Sequence, residues 1–330
     1  MDPDTTNPSY WLNWRFLICA LYVLTTMVLA GVLIWKYEGR KKLDDERRED
    51  GIMPVGALHK DDVWKTCLRS IHPSILLAFR IFAFVLLMAL ITGNAVVKGP
   101  GVFFFYTQWT FTLTTIYFGL ASAFSIFGCW SNRNGACISK MASQNIDAET
   151  VSLSAQKLGG SANTSWLENL INHEEVQYHQ IAGFMGYLLQ IIYQVTAGAV
   201  LLTDVVFWLV IYPFLTAKDY RLAFFDISMH SVNVLILGDA ILNCMRFPMF
   251  RIAYFIIWTG VFVICQWIIH ACVSMRWPYP FMDLSPPYAP IWYVVVGLLH
   301  IPCYGVFALI VKLKHMWLSR SFPDSYQGIR

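Results

Sequence analysis

Apolar residues in this chain fall into blocks long enough to cross a bilayer, and polar residues collect between them. A membrane helix needs about 20 mainly apolar residues. Stretches of that kind run over 16–35, 75–97, 103–127, within 181–215, and over 228–245, 252–270 and 290–311. They predict an all-α fold, a multi-pass transmembrane helical bundle of seven spans. The stretch from 181 to 215 is longer than one span needs, but it has no Pro or polar turn near its centre to form a hairpin. It reads as one tilted helix preceded by an interfacial stretch over 183–189.

Lys and Arg residues orient the bundle, because cytoplasmic loops collect them. With the N-terminus outside and the C-terminus cytoplasmic, the inner segments 36–74, 130–180, 246–251 and 312–330 hold 18 basic residues. The outer ones hold five: Arg15, Lys98, Lys218, Arg221 and Arg276. Three regions follow. Residues 1–74 form the first span and a charged cytoplasmic loop, whose run at 40–50 suits a solvated helix on an anionic membrane surface. Residues 75–314 form a six-helix membrane core with a flexible cytoplasmic loop at 131–180, rich in Ser, Asn, Thr and Gly. Residues 315–330 form a cytoplasmic tail. No internal repeat is visible, which argues against an inverted-repeat transporter.

Composition agrees with this picture. Hydrophobic residues make up 57% of the chain and charged residues 14%, against roughly 45–50% and about 25% in soluble domains. A net charge of +3, with Lys and Arg confined to loops apart from Arg80, excludes nucleic acid as a partner and points to membrane lipids. The first ten residues lack the basic region of a cleaved leader, so the first span is expected to stay. The expected location is the endoplasmic reticulum or plasma membrane. Eight cysteines are scattered singly without CxxC spacing, so neither a zinc site nor a disulfide framework is expected. His173, Glu174, Glu175 and His179 do not match the i, i+4 spacing of a zinc hydrolase helix. No metal or cofactor is expected.

Ionisable groups inside spans are costly and mark candidate sites. Arg80 and Asp239 lie at matching depths in spans two and five, and are expected to form a structural ion pair. Asp204 in span four has no evident partner, and His300 lies near the middle of span seven. In the outer half, Thr107 stands about 6 Å along span three, while His230 begins span five and His270 ends span six. A neutral imidazole can take the proton of a hydroxyl and make it a nucleophile, so Thr107 with His230 is chemically sufficient to attack an ester. Thr is also common in membrane helices for purely structural reasons. Spacing alone leaves both readings open.

The run Phe105-Tyr106-Thr107-Gln108-Trp109 to Ile116-Tyr117-Phe118-Gly119 resembles the "YLT…YFG" helix of the androgen-induced membrane proteins. These are multi-pass threonine hydrolases of fatty-acid esters of hydroxy fatty acids. The run is closer still to the rolling stone-like branch, with its "YFT.W…YF" pattern. Met229-His230-Ser231 resembles the family's "HT" or "HS" helix start, and Trp277 to Phe281 its "W.YPF" loop. The similarity covers about 75–314, with the first span as an addition. It implies Thr107 as nucleophile and His230 as base.

One reading is therefore a hydrolase of lipid esters, with Phe105, Tyr106, Trp109, His270, Trp277 and Phe281 around a fatty-acid ester and the 276–290 segment as a lid. The alternative is a non-enzymatic membrane organiser or receptor-like protein whose polar residues lock the bundle. Rolling stone-like proteins are associated with cell fusion and membrane organisation. A transporter would require broken helices and charges at mid-depth.

Overall fold

The computed structural model describes residues 4–38, 58–59, 61–153, 183–216 and 221–328, with backbone alone over 135–153. It is helical, and seven of its helices are long and apolar enough to cross a membrane. These are α1 (Trp14–Glu38), α2 (Pro73–Lys98), α3 (Tyr106–Leu153), α4 (Phe184–Leu215), α5 (Phe224–Leu242), α6 (Ile252–Cys272) and α7 (Ala289–Ser321). Isolated bridges pair Thr66 with Asn243 and Leu68 with Tyr326.

The bundle is inside-out relative to a water-soluble protein. Leu21, Val28, Phe82, Val85, Ile268 and Leu298 stand exposed on its flanks, while Arg80, Asp239, Arg251, Gln190, Gln194 and Asn243 are buried. In hydrocarbon a polar group must find its partner within the protein, so it turns inward, and apolar side chains meet lipid at no cost. The chain is thus an integral multi-pass membrane protein.

Helix association in lipid relies on close packing and interhelical hydrogen bonds rather than on escape from water. Both are visible. Gly198 on α4 lies against Phe255 of α6, where an added Cβ would come within 2.7 Å of the ring. Arg80 Nε donates to Asp239 Oδ1 at 2.7 Å, and its Nη1 donates to Ser125 Oγ at 2.7 Å and to the Val63 carbonyl at 2.8 Å. Tyr117 and Asn243 donate to the other Asp239 oxygen. The pair expected from matching depth exists, with no exposed surface on either side chain.

The first span and the terminal tail are integrated into the bundle. α1 packs along α6 and α7, and Glu38 at its end accepts hydrogen bonds from Arg251 and Tyr254. The tail does not hang free. α7 runs on to Ser321, and residues beyond it pair with the segment after the first span: Arg69 N donates to Ser325 O at 2.7 Å, and Gln327 N to Cys67 O at 2.9 Å.

Two stretches differ from expectation. α3 continues to Leu153, so the first half of the presumed flexible loop 131–180 is helix. This stretch has no Pro and a single Gly, and extending a helix that a membrane span has already nucleated needs no new nucleus. α4 is helical from Phe184, so the expected interfacial stretch is part of one continuous helix. The mixed-charge run 40–50, His173, Glu174, Glu175 and His179 lie outside the described residues.

Candidate active site

α4 changes register before it ends. From Phe207 to Leu215 it becomes a π-helix, closed where Thr216 N donates to Ile211 O five residues back. Pro213 lies in this stretch, lacks an N–H and would clash with a carbonyl in a regular turn, which the wider helix relieves. α5 is interrupted at the same end. Its first segment stops at Met229, a 3-10 turn covers Val232–Val234, and helix resumes at Leu235. Ser228 bonds back to Phe224 O at 2.8 Å and Asn233 to Met229 O at 2.7 Å. Such polar side chains compete with the backbone ladder, and the β-branched Val232 and Val234 add little to hold it.

His230 sits in that break and is held by the π segment. Its ring lies on Phe207 at 3.8 Å and 2° between planes, and its carbonyl accepts from Trp208 Nε1 at 2.9 Å. Nδ1 faces Asp204 Oδ1 at 3.6 Å. That is longer than a hydrogen bond, but neither atom has any other partner. With Nδ1 carrying its proton toward the carboxylate, Nε2 keeps the basic lone pair.

Thr107 is the second residue of α3, nearer the helix start than the expected 6 Å, because residues 100–104 form a 3-10 turn and not the span itself. The Tyr279 hydroxyl accepts from Thr107 N at 3.3 Å and lies 3.4 Å from Thr107 Oγ1. Burial raises the pKa of the Tyr279 phenol above its ordinary value, so it stays protonated.

Thr107 and His230 line one cavity of about 570 Å³, within the range of about 300–1,000 Å³ usual for small-molecule sites. They do not hydrogen-bond to each other: one is turned to Tyr279, the other to Asp204. All seven spans contribute to the wall, α1 through Tyr22, Val23 and Thr26. At the rim Lys98 pairs with Asp226 at 2.5 Å. Deeper, Tyr106 Oη meets Thr259 Oγ1 at 2.8 Å, and Thr259 meets His300 Nε2 at 2.9 Å.

Of the aromatic residues expected around a substrate, Phe105, Tyr106 and Phe281 line the cavity. Trp109, His270 and Trp277 do not. Trp109 is two residues past Thr107, about 200° around the helix, and packs on Trp258 and Phe262 while donating to Phe103 O. His270 donates from Nδ1 to Gln266 O at 2.8 Å and is covered by Trp277 stacked at 3.8 Å. Trp277 in turn donates to Tyr10 Oη at 3.0 Å. The 276–290 loop therefore divides its residues. Trp277 anchors the N-terminal segment, while Tyr279 and Phe281 face the cavity.

Sequence reasoning missed Asp204 as the partner of His230, and missed Tyr279, Asn94 and Gln108. The aromatic–proline loop pointed to Tyr279, and the cost of a charge in span four pointed to Asp204. The chain matches no family model, and no curated protein or solved structure is significantly similar to it.

Proposed function

We propose that this protein is a membrane-embedded hydrolase of fatty-acid esters, with Thr107 as nucleophile and His230 as base. The observation that carries the reading is the convergence of Thr107 and His230, with Asp204 behind the imidazole, on one largely apolar cavity inside a membrane bundle. The resemblance to the androgen-induced and rolling stone-like proteins assigns the same two residues.

The ester carbonyl enters beside Thr107. His230 Nε2 takes the Thr107 proton, directly or through one water, as the hydroxyl oxygen bonds to the carbonyl carbon. Collapse of the tetrahedral intermediate breaks the bond to the alkoxy oxygen, and the alcohol leaves with the proton from His230. Water then gives a proton to His230, attacks the acyl-threonine, and releases the fatty acid as Thr107 regains its proton. Asp204 stabilises the imidazolium formed at each stage.

In this reading the site end of the bundle faces the exoplasmic side of the endoplasmic reticulum or plasma membrane, as the bias of basic residues toward the other end suggests. A second reading is a non-enzymatic organiser that holds lipid in the same cavity, favoured by the lack of a hydrogen bond between Thr107 and His230.

Covalent labelling of the purified protein with a fluorophosphonate probe separates the two. Labelling that disappears in Thr107→Ala, with ester turnover lost in His230→Ala, supports the hydrolase. Labelling indifferent to Thr107→Ala ends the threonine assignment.

A further inference from the structure

Attack on an ester places negative charge on its carbonyl oxygen, and a competent site holds hydrogen-bond donors ready for it. Most polar groups around the cavity are already engaged: Lys98 with Asp226, Tyr106 with Thr259, Thr259 with His300, and Thr203 Oγ1 with Val200 O. Two are not. Asn94 and Gln108 both line the cavity and are 2% and 5% exposed, yet their side-chain oxygens have no hydrogen-bond partner, and no hydrogen bond fixes either side-chain amide.

Buried amides without partners are rare in folded proteins, because each has given up its water. Two in one cavity mark a place where something polar is received. Their position narrows what that is. Gln108 follows Thr107 directly at the start of α3, at the positive end of the helix dipole. Asn94 lies one turn before Lys98 on α2, on the same cavity-lining side, and α2 reaches α3 through only the 99–105 link.

We propose that the carboxamide NH2 groups of Asn94 and Gln108 bind the carbonyl oxygen of an acyl lipid and take up the charge that develops on it when Thr107 attacks. Rotating either amide by 180° exchanges its oxygen and nitrogen, so both groups can donate into the cavity. The charge-stabilising part rests on the hydrolase reading. Recognition of a neutral carbonyl does not.

The test uses full-length protein in lipid nanodiscs and a long-chain fatty-acid methyl ester labelled with ¹³C at its carbonyl, held unreacted by Thr107→Ala. Bound ester is expected to show a carbonyl infrared band shifted to lower frequency, and the shift should shrink in Asn94→Leu and again in the double variant with Gln108→Leu. A dialkyl ether of the same length, which has no carbonyl, should bind all these proteins alike and so report an intact fold. With Thr107 present, each single substitution is expected to lower kcat about 10²–10³-fold and change KM far less. Gln108→Glu, which keeps the shape, should lower kcat at least as much.

An unshifted band in the Thr107→Ala protein, or one indifferent to both substitutions, overturns the carbonyl assignment even if turnover still depends on Thr107. A shift that responds to Asn94 and Gln108, in a protein with no Thr107-dependent turnover, upholds carbonyl binding and removes the hydrolase reading alone.

Discussion

The carboxylate of Asp204 stands 3.6 Å from Nδ1 of His230, and each of these atoms is buried with no other partner. In a span, a charged or polar group is costly unless it faces a partner within the bundle, and these two atoms face each other. If Asp204 holds the imidazole in its useful tautomer, Asp204→Asn should lower kcat by about 10²–10⁴-fold and leave KM within a few-fold. Steady-state kinetics on a fatty-acid ester checks this. A variant with wild-type kcat would show that Asp204 has no part in orienting the base.

Tyr279 touches both the backbone N–H and the hydroxyl of Thr107. Tyr279→Phe removes those contacts and keeps the ring that packs on Phe105 and Phe281. The expected result is a fall in fluorophosphonate labelling rate of about 5-fold, on the scale of one neutral hydrogen bond of roughly 1 kcal/mol. Unchanged thermal stability would accompany it. Labelling at the wild-type rate would mean that Tyr279 packs against Thr107 without positioning it.

The Arg80–Asp239 pair has no exposed surface and several further partners. Removing one charge strands the other, so Arg80→Met should destabilise the protein by about 3–5 kcal/mol. Arg80→Met with Asp239→Leu should recover part of that, though not all, since Tyr117 and Ser125 also lose a partner. Thermal unfolding in a single detergent, read for the singles and the double, measures the coupling. Equal losses that simply add would contradict it.

Gly198 leaves no room for a methyl group beside Phe255, whose ring lies tilted against His300 at 4.4 Å. Gly198→Ala is expected to cost about 1–3 kcal/mol by overpacking and to disturb the His300–Thr259 contact at the cavity floor. A stability unchanged within about 0.5 kcal/mol would show that the two helices separate freely there.

Outside the membrane spans, Tyr10 accepts from Trp277 Nε1 and donates to Asp283 at 2.7 Å. Burial, and then the Asp283 hydrogen bond, push its pKa up to about 12 from 10.0. A raised value in the folded state means the clamp contributes fully below the ordinary phenol pKa and is lost as pH rises through the folded one. The N-terminal segment should therefore release between about pH 10 and 12. Tyrosinate absorbance of the wild type minus Tyr10→Phe follows that ionisation, and a midpoint near 10 would mean the contact is open in solution.

The spans were legible because lipid imposes length and apolarity on each helix independently of its neighbours. Arg80 and Asp239 were legible too, since matching depth is enough to pair the only two groups of opposite charge there. Asp204 and His230 were not paired from sequence. Asp204 lies in the regular part of α4, but His230 stands in the break of α5, where the chain leaves regular helix and helical periodicity no longer sets its direction. Trp109, His270 and Trp277 were placed by depth alone, whereas rotation about the helix and the fold of the 276–290 loop decide what each one faces. The helix beyond Asn134 was missed because its polar composition reads as loop when the span feeding it is ignored.

Tyr22, Val23 and Thr26 make one side of the cavity out of a single helix, whose opposite face leaves Leu21, Leu24 and Val28 exposed among the described residues. Among the described residues the wall there is one helix thick, and α1 holds its place by packing on α6 and α7. For the acyl lipid proposed above, that thin wall makes a sideways path past α1, tail first, the shortest route that avoids water.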